Sequence, residues 1–313
     1  MLTGAPGILV AVRALLLFLS HQGWLRRWVE RSRISGRFTS RFVAGSTLEE
    51  ALDVCRRLAS EKTLATLDHL GENVTSLAEA RQSSDAYLTA LQRLIALGLG
   101  ASVSIKLTQF GLDLDERACR ENVDPLVECA RTGGTRVEID MESSEYVDRT
   151  LALVSDLHAR HASVRAVIQA YLYRSEADIE KLCAQSIPVR LCKGAYNEPA
   201  AVAWPKKAAV DANYVRLAQL LLDRGTYPAI ASHDESILRQ LLEYIRKRGI
   251  GPDQFEFQML YGIRRDLQRM LVGKGYRLRL YVPYGDAWYP YFMRRLAERP
   301  ANVLFLARNL FRK

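Results

Sequence analysis

Residues 229–259 read AIASHDESILRQLLEYIRKRGIGPDQFEFQM. Two short apolar runs, Ala229–Ser232 and Phe255–Met259, flank Glu235–Arg248, where apolar residues return every three or four positions. The runs predict buried strands and the middle segment a one-sided helix. The same unit recurs about every 30–35 residues on both sides. Further predicted strands are Thr63–Leu67, Ser102–Leu107, Arg136–Asp140, Ala166–Tyr171, Ile187–Leu191 and Leu278–Val282. Predicted helices are Asp85–Leu97, Pro125–Arg131, Glu145–Arg160, Val210–Leu222, Ile263–Leu271 and Tyr289–Ala297. Strands alternating with helices in this way predict an α/β fold: a (β/α)8 TIM-like barrel over 46–313, preceded by an N-terminal helical extension, 1–45. A doubly wound sheet would need a glycine-rich first turn for its nucleotide. Gly98-Leu-Gly100 and Gly273-Lys-Gly275 both lack the third glycine, so the barrel is preferred.

A barrel carries its chemistry where its strands end. Polar residues collect there: Lys106 after strand 2, Asp140 on strand 3, Gln169 on strand 4, and Arg190-Leu-Cys-Lys193-Gly194-Ala195-Tyr196 on strand 5. Strand 6 ends in Ser232-His233-Asp234, strand 7 carries Gln258 and strand 8 carries Tyr281. A fold bears the desolvation of so many polar groups only where a ligand occupies the mouth. A metal site would need several His and carboxylates together, and only His233 and Asp140 qualify. His158 and His161 read as an exposed helix face. The set is rich in lysine, arginine, amide and hydroxyl donors, which suits an anionic ligand and an acidic substrate group. Arg294 and Arg295 diverge by about 100° on a helix and can grip one carboxylate from two directions. Glu298 pairs within that helix or with an otherwise unpaired Arg190 across the mouth.

Seven strings in order resemble the proline dehydrogenase family, in particular its short monofunctional bacterial members. They are Ile139-Asp-Met-Glu142, Gln169-Ala-Tyr-Leu-Tyr-Arg174, Arg190–Tyr196, Ser232-His-Asp234, Phe255–Gly262, Tyr281-Val-Pro-Tyr-Gly285 and Tyr291-Phe-Met-Arg-Arg295. The resemblance implies non-covalent FAD over the barrel mouth and oxidation of L-proline to Δ1-pyrroline-5-carboxylate by hydride transfer to flavin N5. Electrons would pass to a membrane quinone, in the first step of proline catabolism. It also implies a bacterial cytoplasmic enzyme, with peripheral contact at the inner membrane face, and a separate pyrroline-5-carboxylate dehydrogenase as partner. By position it implies that Arg294, Arg295 and Lys106 clamp the proline carboxylate, and that Tyr281 and Leu260 pack on the substrate ring. Arg190 would lie near the flavin and pair with Glu298 as a gate. Met141, Gln169, Lys193, Gly194, Ala195, Ser232, His233 and Gln258 match cofactor-binding positions, and Asp140 matches a catalytic acid linked to Lys106. Either Asp140 or water could take the amine proton. Tyr281 favours proline over hydroxyproline, since relatives adapted to hydroxyproline carry a smaller residue there. Cys192 stands where the family has valine, and reads as packing.

Competing readings are a barrel lyase with Lys106 or Lys193 as Schiff base, a hydroxyproline-preferring relative, and a non-catalytic binder of nucleic acid or membrane surface. The last rests on charge. The net +9 is concentrated at the two ends of the chain, around an acidic middle. No helix-turn-helix, zinc-finger or RNP-like string accompanies it, so nucleic acid is not expected as a partner. The arginines of 13–41 and 264–279 are read instead as a spare, membrane-facing patch. The apolar stretch Ile8–Leu19 is broken by Arg13 and is shorter than the roughly 20 residues of a bilayer span. It reads as a packed helix, with membrane contact by Leu15–Leu19 and Trp24 as the alternative. Five cysteines, odd in number and without a CxxC pair, argue for a reducing compartment and against a zinc site.

Overall fold

The computed structural model describes residues 41–71, 74–289 and 291. Its eight strands are β1 Leu64–His69, β2 Ser102–Ile105, β3 Val137–Ile139, β4 Val164–Gln169, β5 Val189–Cys192, β6 Ala229–Ala231, β7 Glu256–Leu260 and β8 Leu278–Tyr284. All are parallel, and β8 returns to β1 in continuous register from Leu64↔Arg279 to His69↔Tyr284, closing the barrel. The described helices are α1 Leu48–Ser60, α2 Leu77–Ala96, α3 Glu116–Thr132, α4 Val147–His161, α5 Ser175–Ala184, α6 Lys207–Arg224, α7 Glu235–Arg248 and α8 Arg265–Gly273. Each of α2–α8 crosses from one strand to the next, while α1 precedes β1.

Local sequence explains several element starts. Thr47 and Glu50 form a capping box: Glu50 N–H donates to Thr47 Oγ1 at 3.3 Å and Thr47 N–H to Glu50 Oε2 at 3.0 Å. Asp115 caps α3 by accepting from the Arg117 and Ala118 amides. That helix begins nine residues before the proline at which it was expected to start, and Pro125 lies inside it. An interior proline costs about 3 kcal/mol. It is tolerated because Cys119, Val123, Leu126, Val127 and Ala130 all bury against the barrel. Two helices, α1 and α5, had no sequence expectation. The buried residues of α5 are few (Ser175, Asp178, Ile179 and Leu182), so its periodicity is weak.

The main hydrophobic core lies between the outer faces of the strands and the helices that cover them, with Val103, Ile105, Val137, Ile139, Leu191 and Ile230 each 0% exposed. The barrel interior is of another kind. Barrels of this class are commonly filled with branched aliphatic side chains; here the interior holds Arg165, Arg190 and Arg279 against Glu138 and Glu256. Arg165 Nη1 lies 3.2 Å from Glu138 and 2.6 Å from Glu256, and Arg279 Nε lies 2.9 Å from Glu256. Isolated, any of these charges would be prohibitive to bury; paired and hydrogen-bonded, they form a rigid floor beneath the mouth.

Residues 42–45 belong to the end of this barrel. Ala44 N–H donates to Pro283 O at 2.8 Å and Gly285 N–H to Gly45 O at 3.0 Å. The expectations for Ile8–Leu19, Trp24, most of the predicted helix Tyr289–Ala297, Arg294, Arg295 and Glu298 lie outside the described residues.

Candidate active site

Four side chains from four strands converge at the top of the ionic floor, to which Arg190 also belongs. Lys106 follows β2, Asp140 follows β3, Arg190 lies on β5 and Tyr281 on β8. Lys106 Nζ stands 3.5 Å from Asp140 Oδ2 and 3.4 Å from the Tyr281 hydroxyl, which donates to the same Asp140 oxygen at 2.9 Å. The other Asp140 oxygen accepts from Arg190 and, at 2.9 Å, from Ser104 Oγ. Arg190 is 4% exposed, and its guanidinium sits 5.4 Å from the centroid of the Tyr281 ring.

From the sequence, Arg190 has no partner within the barrel. The structure corrects this. Arg190 pairs with Asp140 and, at 2.8 Å, with Glu138, and donates to Ser104 Oγ at 2.8 Å and Gln258 Oε1 at 3.2 Å. A buried cation requires such partners. Gln258 therefore sits a layer deeper than a mouth-lining residue, its amide spent on Arg190, Glu138 and Glu256.

Electrostatics follow from this packing. Burial opposes ionisation of Asp140, but Arg190 and Lys106 outweigh it and hold the carboxyl below the usual aspartate range. Burial opposes the charge on Lys106, and Asp68 and Asp140 overcome it, so its ammonium is held above the ordinary lysine range. A Schiff-base lysine needs the opposite shift. Burial pushes the Cys192 thiol up to about 12, in keeping with a packing role.

The cofactor-matching positions form the rim. Gln169 is clamped: its Nε2 donates to Glu142 O at 2.8 Å and its Oε1 accepts the Ala195 amide at 3.1 Å. Gly194 lies at φ +128°, and a Cβ there would stand 2.4 Å from the Tyr171 ring. Lys193 is bound to Asp211 and, at 2.9 Å, to Asp234. Ser232 Oγ accepts the Asp234 amide at 3.1 Å, leaving its O–H as a donor. His233 Nε2 accepts the Leu260 amide at 2.8 Å, which places the ring proton on Nδ1 and ties two predicted site residues together. Met141 is 5% exposed.

A family model described as proline dehydrogenase matches residues 51–308. The chain belongs to the proline dehydrogenase family. It is 40% identical over 304 residues to proline dehydrogenase 1 of Bacillus subtilis subsp. natto, covering 96% of this chain and 100% of that one. It is 41% identical over 279 residues to the proline dehydrogenase of Deinococcus radiodurans, covering 87% and 89% of the two chains. A solved structure of proline utilization A from Bdellovibrio bacteriovorus, inactivated by N-propargylglycine, superposes with a TM-score of 0.78 at 26% identity. That match covers 91% of this chain and 36% of the other, so the chain spans about a third of that larger protein. Membership in the family makes this protein an oxidoreductase.

This proline dehydrogenase family member carries site residues that sequence reasoning missed. Asp68, 2% exposed, faces Lys106 at 3.5 Å; the predicted strand 1 stopped one residue short of it. Glu142 accepts from Thr108 N–H at 3.1 Å and Thr108 Oγ1 at 2.7 Å, fixing the turn that follows Lys106, and burial raises its carboxyl above the usual range. The alternation in Arg136-Val-Glu-Ile-Asp140 was the available signal for Glu138.

Two peripheral expectations are also corrected. His161 is not on an exposed face: it bridges Asp124 at 3.0 Å and Glu128 at 2.9 Å, linking α4 to α3. His158 is half-buried, and burial lowers its pKa. The arginines of 264–279 are not all spare. Arg279 is buried in the barrel floor, and Arg264 is held by Asp266 at 2.7 Å and Glu235 at 3.0 Å. Among the described residues no helix is long and apolar enough to cross a membrane.

Proposed function

We propose that this chain catalyses FAD-dependent oxidation of L-proline to Δ1-pyrroline-5-carboxylate at the barrel mouth. A membrane quinone then takes the electrons, and a separate pyrroline-5-carboxylate dehydrogenase takes the product, in the first step of proline catabolism. The observation that carries the reading is the convergence of Lys106, Asp140, Arg190 and Tyr281 at the top of the ionic floor, in a chain matched by the family model over residues 51–308.

The residues present fit a flavin dinucleotide. Gly194 lets the Tyr171 ring pack directly against the rim backbone, where a Cβ would collide with it, and Gln169 fixes the neighbouring Ala195 amide. Ser232 carries a hydroxyl and His233 an imidazole N–H, donor types suited to oxygen acceptors. Gly194, Ala195, Gln169, Ser232, His233, Met141 and Lys193 would hold the cofactor, with Gln258 supporting Arg190 from below. Bound FAD would supply the hydride acceptor.

The chain's own side chains do the rest. Lys106, with Arg294 and Arg295, grips the substrate carboxylate, which fixes the ring carbon that loses hydride. Tyr281 and Leu260 bound the ring. The Arg190 guanidinium, held in place by Asp140 and Glu138, presents positive charge where negative charge develops. Asp140 is saturated with donors and held low, so it anchors Arg190, Lys106 and Tyr281, and water takes the amine proton. Glu298 gates the mouth by competing for Arg190.

The test is product identity. Protein loaded with FAD and supplied with L-proline and an artificial electron acceptor should generate a pyrroline that o-aminobenzaldehyde traps as a coloured adduct. Absence of the adduct in flavin-loaded, folded protein contradicts the reading.

A further inference from the structure

The lysine at the centre of the mouth is held loosely, and the reason lies one layer behind it. Lys106 Nζ faces three acceptors, at 3.5 Å (Asp68 Oδ1), 3.5 Å (Asp140 Oδ2) and 3.4 Å (Tyr281 hydroxyl). Charge-assisted N–H···O bonds usually close to about 2.7–2.9 Å. Each carboxylate oxygen that faces the ammonium already has a tyrosine hydroxyl on it. Tyr281 donates to Asp140 Oδ2 at 2.9 Å, and Tyr87 lies 3.2 Å from Asp68 Oδ1.

Tyr87 reaches this position from α2 and is 1% exposed. Its hydroxyl accepts the His69 amide at 3.0 Å, so the strand that carries Asp68 also orients the group that binds it. The hydroxyl proton has two acceptors at 3.2 Å, the His69 carbonyl and the Asp68 carboxylate, and the ionised one is the stronger.

We propose that Tyr87 is a positioning residue for substrate binding: by occupying Asp68 Oδ1 it weakens the grip of Asp68 on Lys106 and keeps the ammonium available to a substrate carboxylate. Without the hydroxyl, Asp68 and Lys106 close into a tight ion pair that the substrate must first open. The proposal rests on the assignment of L-proline as substrate and of Lys106 to its carboxylate.

The test is a double-mutant cycle on the flavin-loaded enzyme with Tyr87→Phe, Asp68→Asn and the double variant. A hydrogen bond to a charged group is worth about tenfold or more in an equilibrium, and at 3.2 Å this one is long, so it delivers the lower part of that range or less. Tyr87→Phe should therefore raise the KM for L-proline about three- to tenfold with kcat within twofold. It should weaken inhibition by cyclopentanecarboxylate, which has the carboxylate and no amine, by the same factor. Inhibition by pyrrolidine, which lacks the carboxylate, should not change. In the Asp68→Asn background the phenylalanine substitution should have no effect on KM. A purely structural role would raise KM equally in both backgrounds and weaken both inhibitors; either result overturns the proposal. If Tyr87→Phe does not fold, a KM rise above tenfold in Asp68→Asn alone overturns it. Failure of the wild type to oxidise L-proline, by contrast, removes the functional assignment beneath it.

Discussion

Replacing Glu138 with glutamine removes one charge from the barrel floor at nearly constant volume. The Glu138 side chain is 0% exposed, with Arg190 2.8 Å, Arg165 3.2 Å and Arg279 3.8 Å from its oxygens. A neutral amide there leaves three guanidinium groups sharing Glu256 and Asp140, and turns an NH2 toward donors. Breaking a buried ion pair from one side costs about 3–5 kcal/mol. At about 2–3 °C per kcal/mol for a domain of this size, the melting temperature should fall by about 6–15 °C. The loss should depend on pH. The neighbouring arginines outweigh burial and hold the Glu138 carboxyl below its ordinary value of 4.5. Its stabilisation is therefore present above the unfolded value and lost as pH falls through the folded one. Thermal unfolding followed by circular dichroism at pH 7.5 and again below pH 4 measures both effects. A drop under about 2 °C at pH 7.5, or a deficit that grows in acid, refutes the view that the floor is held by this charge pairing.

Glu142→Gln should behave in the opposite sense. Burial raises the Glu142 carboxyl above 4.5, so its ionisation opposes folding above that pH, while a glutamine keeps both contacts to Thr108. The variant should melt at or up to about 3 °C above wild type at pH 7.5, with the difference fading in acid. Lys106→Met should raise the KM for L-proline about 10- to 150-fold, the worth of one hydrogen bond to a charged group, with flavin content unchanged; co-purifying flavin and steady-state kinetics check both. Gly194→Ala sets a Cβ 2.4 Å from the Tyr171 ring at φ +128°. It should cost about 1–3 kcal/mol and lower the flavin content of the purified protein, read from the visible absorbance.

The architecture was legible because outer strand faces packed under helices keep a short apolar signature, and because Glu235–Arg248 and its fellows keep a clear helical period. Edges were less legible. Pro125 read as a helix start, although tertiary burial on both sides of it carries the helix through. Asp68 was lost when strand 1 was ended at Leu67. The interior was least legible, for a physical reason. In Arg136-Val-Glu-Ile-Asp140 the apolar residues face outward to the helices and the acids face inward, so an alternation that normally marks a water-facing strand here marks an ionic core. Lys106 and Asp140 were found because each directly follows a strand, and Arg190 and Tyr281 because they are polar residues on otherwise apolar strands; Glu138 and Tyr87 act one layer away and carry no signature at that spacing.

The central claim is that the mouth formed by Lys106, Asp140, Arg190 and Tyr281 delivers a hydride from L-proline to a flavin. Anaerobic titration of the flavin-loaded protein with L-proline, followed by visible absorbance, tests it most directly. The account predicts that L-proline bleaches the oxidised flavin band and that D-proline, whose carboxylate cannot meet Lys106 with the same carbon presented, does not. An oxidised spectrum that persists at saturating L-proline, in a protein whose flavin dithionite reduces normally, would contradict it.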